Sequence, residues 1–177
     1  MQKRVLSGAL LLCFSIACLP SSAQSLNRAA ALYQAGQYRE AADEYRRAIG
    51  LAPSWSAPYL GLGNALVALG DRTGAESAYR RAVALSPIYP EAYIALVQLL
   101  IDAHRWQDAE HEIDAALKEL PNDGRLHAMR GVALAKQGRS GEALGAFERS
   151  QQLCPQCMTN DEFAVYQTLR KVPNPAR

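Results

Sequence analysis

The chain has 177 residues, of which 20% are charged, and 19 Lys and Arg stand against 17 Asp and Glu for a formal net charge of +2. That is enough chain for one domain with a real core. The near balance of charge supplies no concentrated basic face, so it argues against a nucleic-acid partner and gives no polybasic case for a membrane surface.

At the N-terminus MQKR carries Lys3 and Arg4, an uncharged run extends from Val5 to Leu19, and Ser21 and Ala23 follow. This is the layout of a secretory signal peptide over residues 1–23, with cleavage expected between Ala23 and Gln24. The run is shorter than the ~20 residues that a spanning helix needs. A lipoprotein signal is the competing reading, because Ser15-Ile16-Ala17-Cys18 places a small residue just before a cysteine. Ser15 stands where such sites usually have leucine, and Cys13 and Cys18 otherwise read as apolar filler. The expectation is an exported chain, periplasmic in a bacterium, or held at a membrane by lipid if Cys18 is modified. Removal of 23 residues leaves 154, and because Lys3 and Arg4 are the only charges removed, those are formally neutral.

Beyond the leader the chain repeats itself. Pro53, Pro87, Pro121 and Pro155 are each 34 residues apart, as are Ala41, Ala75, Ala109 and Ala143. Leu32, Leu66, Leu100 and Leu134 keep the same step, and Tyr45, Tyr79, Ile113 and Phe147 form a fourth series that is large and apolar each time. Gly36, Gly70 and Gly138 interrupt each helical pattern midway, so every unit reads as two helices joined by a turn. Alanine five residues after that turn lets the second helix approach the first. The large apolar residue one turn further on fills the space between them. Each proline ends a unit because it cannot continue a helix. Units are expected at about 22–55, 56–89, 90–123 and 124–157. One hairpin cannot bury its apolar face alone, whereas four stacked hairpins make a continuous core.

With Tyr59, Leu62, Gly63 and Leu66 leading to Ala75, Tyr79 and Pro87, this pattern resembles the tetratricopeptide repeat family from near Ser22 to Pro155. The resemblance implies an all-α fold, a right-handed α-solenoid of four helix-turn-helix repeats, serving as a non-enzymatic adaptor for a protein or peptide partner. Two departures stand out. His104 replaces the turn glycine of unit three, and Val97 occupies a position that is small elsewhere, which should push the two helices of that unit apart.

Residues 158–171 then read as a capping helix. Thr159 or Asn160 can cap it, Asp161 and Glu162 suit its first turn, and Phe163, Val165, Tyr166 and Leu169 form its apolar stripe. Pro173 and Pro175 mark a loose tail over 172–177.

Chemistry is sparse. No phosphate-cradling loop, nucleophile elbow or HExxH is present, so no catalytic residue, cofactor or small-molecule substrate is expected. His104, His111 and His127 are scattered without ligand spacing, which points away from a metal. Trp106 and Trp55 read as packing and half-exposed residues. The one chemical motif is Cys154-Pro-Gln-Cys157. A haem site would need histidine where Met158 stands, and zinc would need two further ligands. The pair is expected to form a disulfide bracing unit four against the cap, with a thiol–disulfide redox protein as the rival reading.

By resemblance, the first helices line a concave groove. Its residues would be Leu26, Ala30 and Tyr33, then Leu60, Asn64 and Val67, then Ile94, Gln98 and Ile101, and finally Ala128, Val132 and Ala135. Leu26 and Leu60 stand where relatives that clamp a terminal carboxylate would need cations. An apolar groove with two amides suits an extended segment or amphipathic helix. The alternative is that these residues merely pack between neighbouring first helices. An envelope-assembly or secretion component is the partner expected by analogy.

Overall fold

The computed structural model describes residues 21–171, so residues 1–20, including Cys13 and the possible lipidation site Cys18, and the 172–177 tail lie outside it. Nine α-helices and no strands occur among the described residues. Helices α1 (Ser22–Gln34) and α2 (Tyr38–Leu51) form unit one, and α3 (Ser56–Ala68) and α4 (Arg72–Leu85) form unit two. Unit three is α5 (Pro90–Asp102) with α6 (Trp106–Glu119), and unit four is α7 (Gly124–Lys136) with α8 (Ser140–Leu153). Helix α9 (Asn160–Lys171) packs on both α7 and α8. The result is an α-solenoid of helical hairpins, each contacting its neighbours in sequence.

Both turns of the repeat are built from backbone bonds that recur at the same period. Within each unit the first helix ends in a Schellman motif. The N–H groups of Gln37, Asp71, Arg105 and Arg139 donate to the carbonyls of Leu32, Leu66, Leu100 and Leu134 at 2.9–3.0 Å. That closure needs a left-handed residue, and Gly36, Gly70 and Gly138 supply it with φ of 76°, 83° and 78°. His104 takes the same conformation at φ 58°, with a side chain that L-residues place there at a cost. Its ring lies 5.2 Å from that of Trp106.

Between units, Trp55, Tyr89, Asp123 and Cys157 donate N–H to the carbonyls of Ala52, Ser86, Leu120 and Cys154 at 3.0–3.2 Å. The proline of each unit sits second in this turn, where its fixed φ is favoured. CPQC is therefore the fourth copy of a turn that three other units make without cysteine.

The core follows the alanine and large-residue series. Ala41, Ala75, Ala109 and Ala143 are all fully buried, and so are Tyr45, Tyr79, Ile113 and Phe147 to within 6% exposure. At Gly63 a Cβ would run into the Tyr79 ring, and at Gly131 into that of Phe147. Val97 occupies the equivalent place against Ile113 in unit three, and α5 and α6 are the most loosely apposed of the four within-unit pairs.

An ion-pair ladder braces the second helices. Arg105 reaches back from the start of α6 to Glu76 on α4 at 2.8 Å, and Arg139, 34 residues on, repeats the contact with Glu110 on α6 at 2.8 Å. Each arginine also binds a carboxylate three residues ahead, Asp108 and Glu142, at 2.6 Å. A hydrogen bond from Gln137, with Arg139 beside it, holds the Glu110 carboxyl below the usual range.

Both ends carry a capping box. Ser21 and Gln24 exchange side-chain to backbone bonds at the start of α1. Thr159 and Glu162 do the same at α9. Cleavage between Ala23 and Gln24 would fall inside the first turn of α1 and remove its Ser21 cap. In α9, Tyr166 is 4% exposed and Val165 and Leu169 rest on the Phe147 cluster. Phe163, expected within that stripe, is instead 42% exposed. It lies a turn before Tyr166, near the N-terminal end of α9, and its ring approaches Tyr166 at 6.1 Å.

Candidate partner-binding groove

Helices α3 and α5, with the start of α7, enclose an open hollow of about 480 Å³. Of the residues expected in the groove, Leu60, Asn64, Val67, Ile94 and Gln98 all line it. Leu60 and Ile94 are half-buried and rest on the core, while Val67 is 42% exposed. Ile101 lines a second hollow of about 350 Å³, bounded by α7 and α9, which shares Gln98 with the first. Val132 belongs to that second hollow as well.

Unit one stays out of both. Leu26 and Tyr33 pack on Ala29, Ala41, Tyr45 and Ala65 instead, and Tyr33 meets Tyr38 edge-on at 5.3 Å. They are half-buried at the seam between units one and two rather than in either hollow. Ala128 is fully buried and offers nothing to a groove.

The two amides are already engaged. Tyr79 donates its hydroxyl to Asn64 Oδ1 at 2.7 Å, so the NH2 group is what Asn64 has left to offer. Gln98 Nε2 donates to Asp102 Oδ1 at 2.8 Å. Burial, and after it the charge of Tyr33, pushes the Tyr79 hydroxyl up to about 12.

Sequence reasoning missed the charges. Glu91, Asp102 and Arg125 also line the first hollow. Arg125 hydrogen-bonds Asp123 at 3.1 Å and lies 3.6 Å from Glu91. The signal was present, since residues 91, 94, 98 and 102 step along one face of α5 at helical spacing. Glu91 and Arg125 occupy the same position of successive units, as do Asp102 and Lys136.

Cys154 and Cys157 lie with Cα atoms 5.3 Å apart and their sulfurs at bonding distance. Cys154 packs against Gly124 at the start of α7. No group of three or more His, Cys, Asp and Glu able to hold a metal occurs among the described residues. The histidines are dispersed, and His127 bonds through Nε2 to the Pro121 carbonyl at 3.1 Å. Tyr59 makes the same contact with Pro53 two units earlier, also at 3.1 Å.

Residues 26–90 and 66–133 match two family models, each described as Tetratricopeptide repeat. No curated protein matches the chain in sequence. Among solved structures, PilF of Pseudomonas aeruginosa superposes with a TM-score of 0.72 at 17% identity, over 84% of this chain and 67% of that one. YrrB, described as a TPR protein with an unusual peptide-binding site, gives 0.67 at 21% identity over 84% and 76%. TTC0263, a thermophilic TPR protein of Thermus thermophilus, gives 0.65 at 21% over 84% and 81%. At these identities the likeness concerns the fold. The two matches span residues 26–133, and with the hairpin stack described above they show that the chain belongs to the tetratricopeptide repeat family, a scaffold for protein–protein interaction.

Proposed function

We propose that the chain is an exported, non-enzymatic adaptor that holds an extended or amphipathic segment of another protein along α3 and α5. The observation that carries this is the hollow itself, where half-buried Leu60 and Ile94 and exposed Val67 face open space beside the Asn64 amide. Apolar surface left open in this way costs solubility unless something covers it. The signal-like layout of residues 1–23 supports export, and a cell-envelope complex is the setting that export implies. Lipid attachment at Cys18 would add a membrane tether. Mass spectrometry of the mature N-terminus distinguishes Gln24 from a diacylated Cys18. A chain that keeps Met1 in the cell overturns export altogether.

Affinity capture with residues 24–177, followed by titration of the captured partner against variants, tests the groove. Leu60→Ala and Ile94→Ala should each weaken binding by about 1–2 kcal/mol, as interface anchors do. Both also rest on the core, so Val67→Ala is the cleaner probe, because its side chain is already in water. Unchanged binding by all three, with the fold intact, would leave the groove reading without support.

In an oxidising compartment the Cys154–Cys157 pair forms a disulfide on this reading. One observation keeps a redox role in view: the backbone closes the same turn in three units that have no cysteine. A pair that opens under mild reductant while helicity is retained favours redox work. Resistance to that reductant favours the brace.

A further inference from the structure

Resting on the groove reading, we infer that the segment held there is cationic as well as apolar, with a Lys or Arg that pairs with Asp102 at the C-terminal end of α5. Asp102 is the last residue of α5. A helix C-terminus carries partial negative charge from its unpaired carbonyls, so a carboxylate there is on the unfavourable end and a cation on the favourable one. Lys136, the equivalent residue of unit four, has the favourable sign, and Gln34 and Ala68 of units one and two are neutral. Asp102 is therefore the one member of its series that its own helix repels.

No neighbouring cation offsets this among the described residues. Asp102 is exposed and accepts a hydrogen bond from the neutral Gln98, and no Lys or Arg lies within ion-pairing distance of it among the described residues. The surroundings add to the negative potential. The two adjoining hollows hold four carboxylates, Glu91, Asp102, Asp161 and Glu162, against Arg125 and Lys136, a local net of −2. Arg125 is in turn bound to Asp123, which lies outside both hollows. Residues 24–177 are formally neutral as a whole, so negative charge is gathered on this face rather than inherited from composition. A carboxylate placed against its helix dipole, unpaired, and one helical turn from Gln98 in an apolar hollow is complementary to a cation that arrives with apolar neighbours. Along α5, Ile94 and Asp102 are eight residues apart, or about 12 Å at the helical rise. The apolar anchor and the cation of the guest would therefore be separated by about four residues if extended and about eight if helical.

A random 12-residue peptide library displayed on phage and selected on the protein provides the probe. The sequences enriched should carry Lys or Arg at one of those spacings from a large apolar residue. The most enriched peptide, synthesised and titrated by calorimetry, should bind Asp102→Asn about fivefold more weakly, which is the worth of a partly exposed ion pair. Raising salt from about 50 to 500 mM should weaken binding to the wild type more than to Asp102→Asn. Asp102→Asn should also melt higher than the wild type, because the repelled charge is gone, so lost binding cannot be ascribed to lost fold. Neutral or acidic selected peptides, or equal binding to Asp102→Asn, overturn the cation assignment. Val67→Gln, an exposed change in the hollow, separates the two claims. Peptides that it weakens but Asp102→Asn does not leave the groove standing without the cation. Peptides indifferent to both changes, or a library that yields no binder, overturn the groove as well.

Discussion

Units two and three solve the same packing problem in opposite ways. In unit two the first helix presents Gly63 and the second lays the Tyr79 ring over it, so the backbones close on each other around an aromatic plate. In unit three Val97 meets Ile113, and the helices stand further apart, as a branched side chain in place of glycine requires. Both crossings are fully buried, so neither is the defective one. The series teaches that the repeat conserves filled volume across the pair, not the identity of either partner. Tyr79 gains something that Ile113 cannot supply, since its hydroxyl reaches the groove and fixes Asn64.

The sharpest way to break that comparison is Gly63→Val, which copies the unit-three residue into unit two without its partner. The new side chain has no room under Tyr79, and a loss of about 3 kcal/mol is expected in denaturant unfolding. Val97→Gly makes the reverse error, and the cavity plus the backbone freedom should cost about 2 kcal/mol. Adding Ile113→Tyr to Val97→Gly should recover much of that cost, and a double-mutant cycle with no coupling would show that the two residues do not share their space.

The Tyr79 hydroxyl gives a third effect. Its proton leaves at about 12 in the folded protein against 10.0 ordinarily, so the unfolded chain ionises first. Stability is full below pH 10 and falls as pH rises towards 12, by at most about 3 kcal/mol in total. Tyr79→Phe should flatten this alkaline slope, at a cost of about 1 kcal/mol at neutral pH from the lost hydrogen bond. The smallest change expected is a gain: His104→Gly relieves a left-handed residue and should stabilise unit three by up to about 1 kcal/mol, less whatever its contact with Trp106 contributes.

Fold and site were not equally readable from sequence. Four residue series in phase fixed the hairpins because periodic burial is written redundantly, and one odd residue such as Val97 perturbs a unit without hiding it. The groove depends on single positions. Leu60, Asn64, Val67, Ile94 and Gln98 came together because they share a face of adjacent first helices. Leu26 and Tyr33 did not, because they pack into the cluster at the seam between units one and two. Glu91 and Asp102 were overlooked because a charge on a helix is indistinguishable from a solvated one until its neighbours are placed. The kinship of CPQC to three cysteine-free turns was legible through Pro155, in step with Pro53, Pro87 and Pro121, although the residue before each proline varies. Ala52, Ser86, Leu120 and Cys154 have nothing in common but the carbonyl each contributes.

The ladder of Arg105 to Glu76 and Arg139 to Glu110 has a mechanical meaning. It ties unit three to unit two and unit four to unit three, but the series cannot extend backwards, because unit one offers Ala42 where a glutamate would be needed and unit two offers Asp71 in place of the arginine. The solenoid is thus a zipper with clasps at its second and third seams and none at its first. In a stack where each unit leans only on its neighbours, fraying begins at the ends, and unit one is an end held by packing alone, with its Tyr45 ring against Gly61 of unit two. Amide exchange is expected to be fastest in α1 and α2, and a pull on both ends should peel unit one away before the remaining three give.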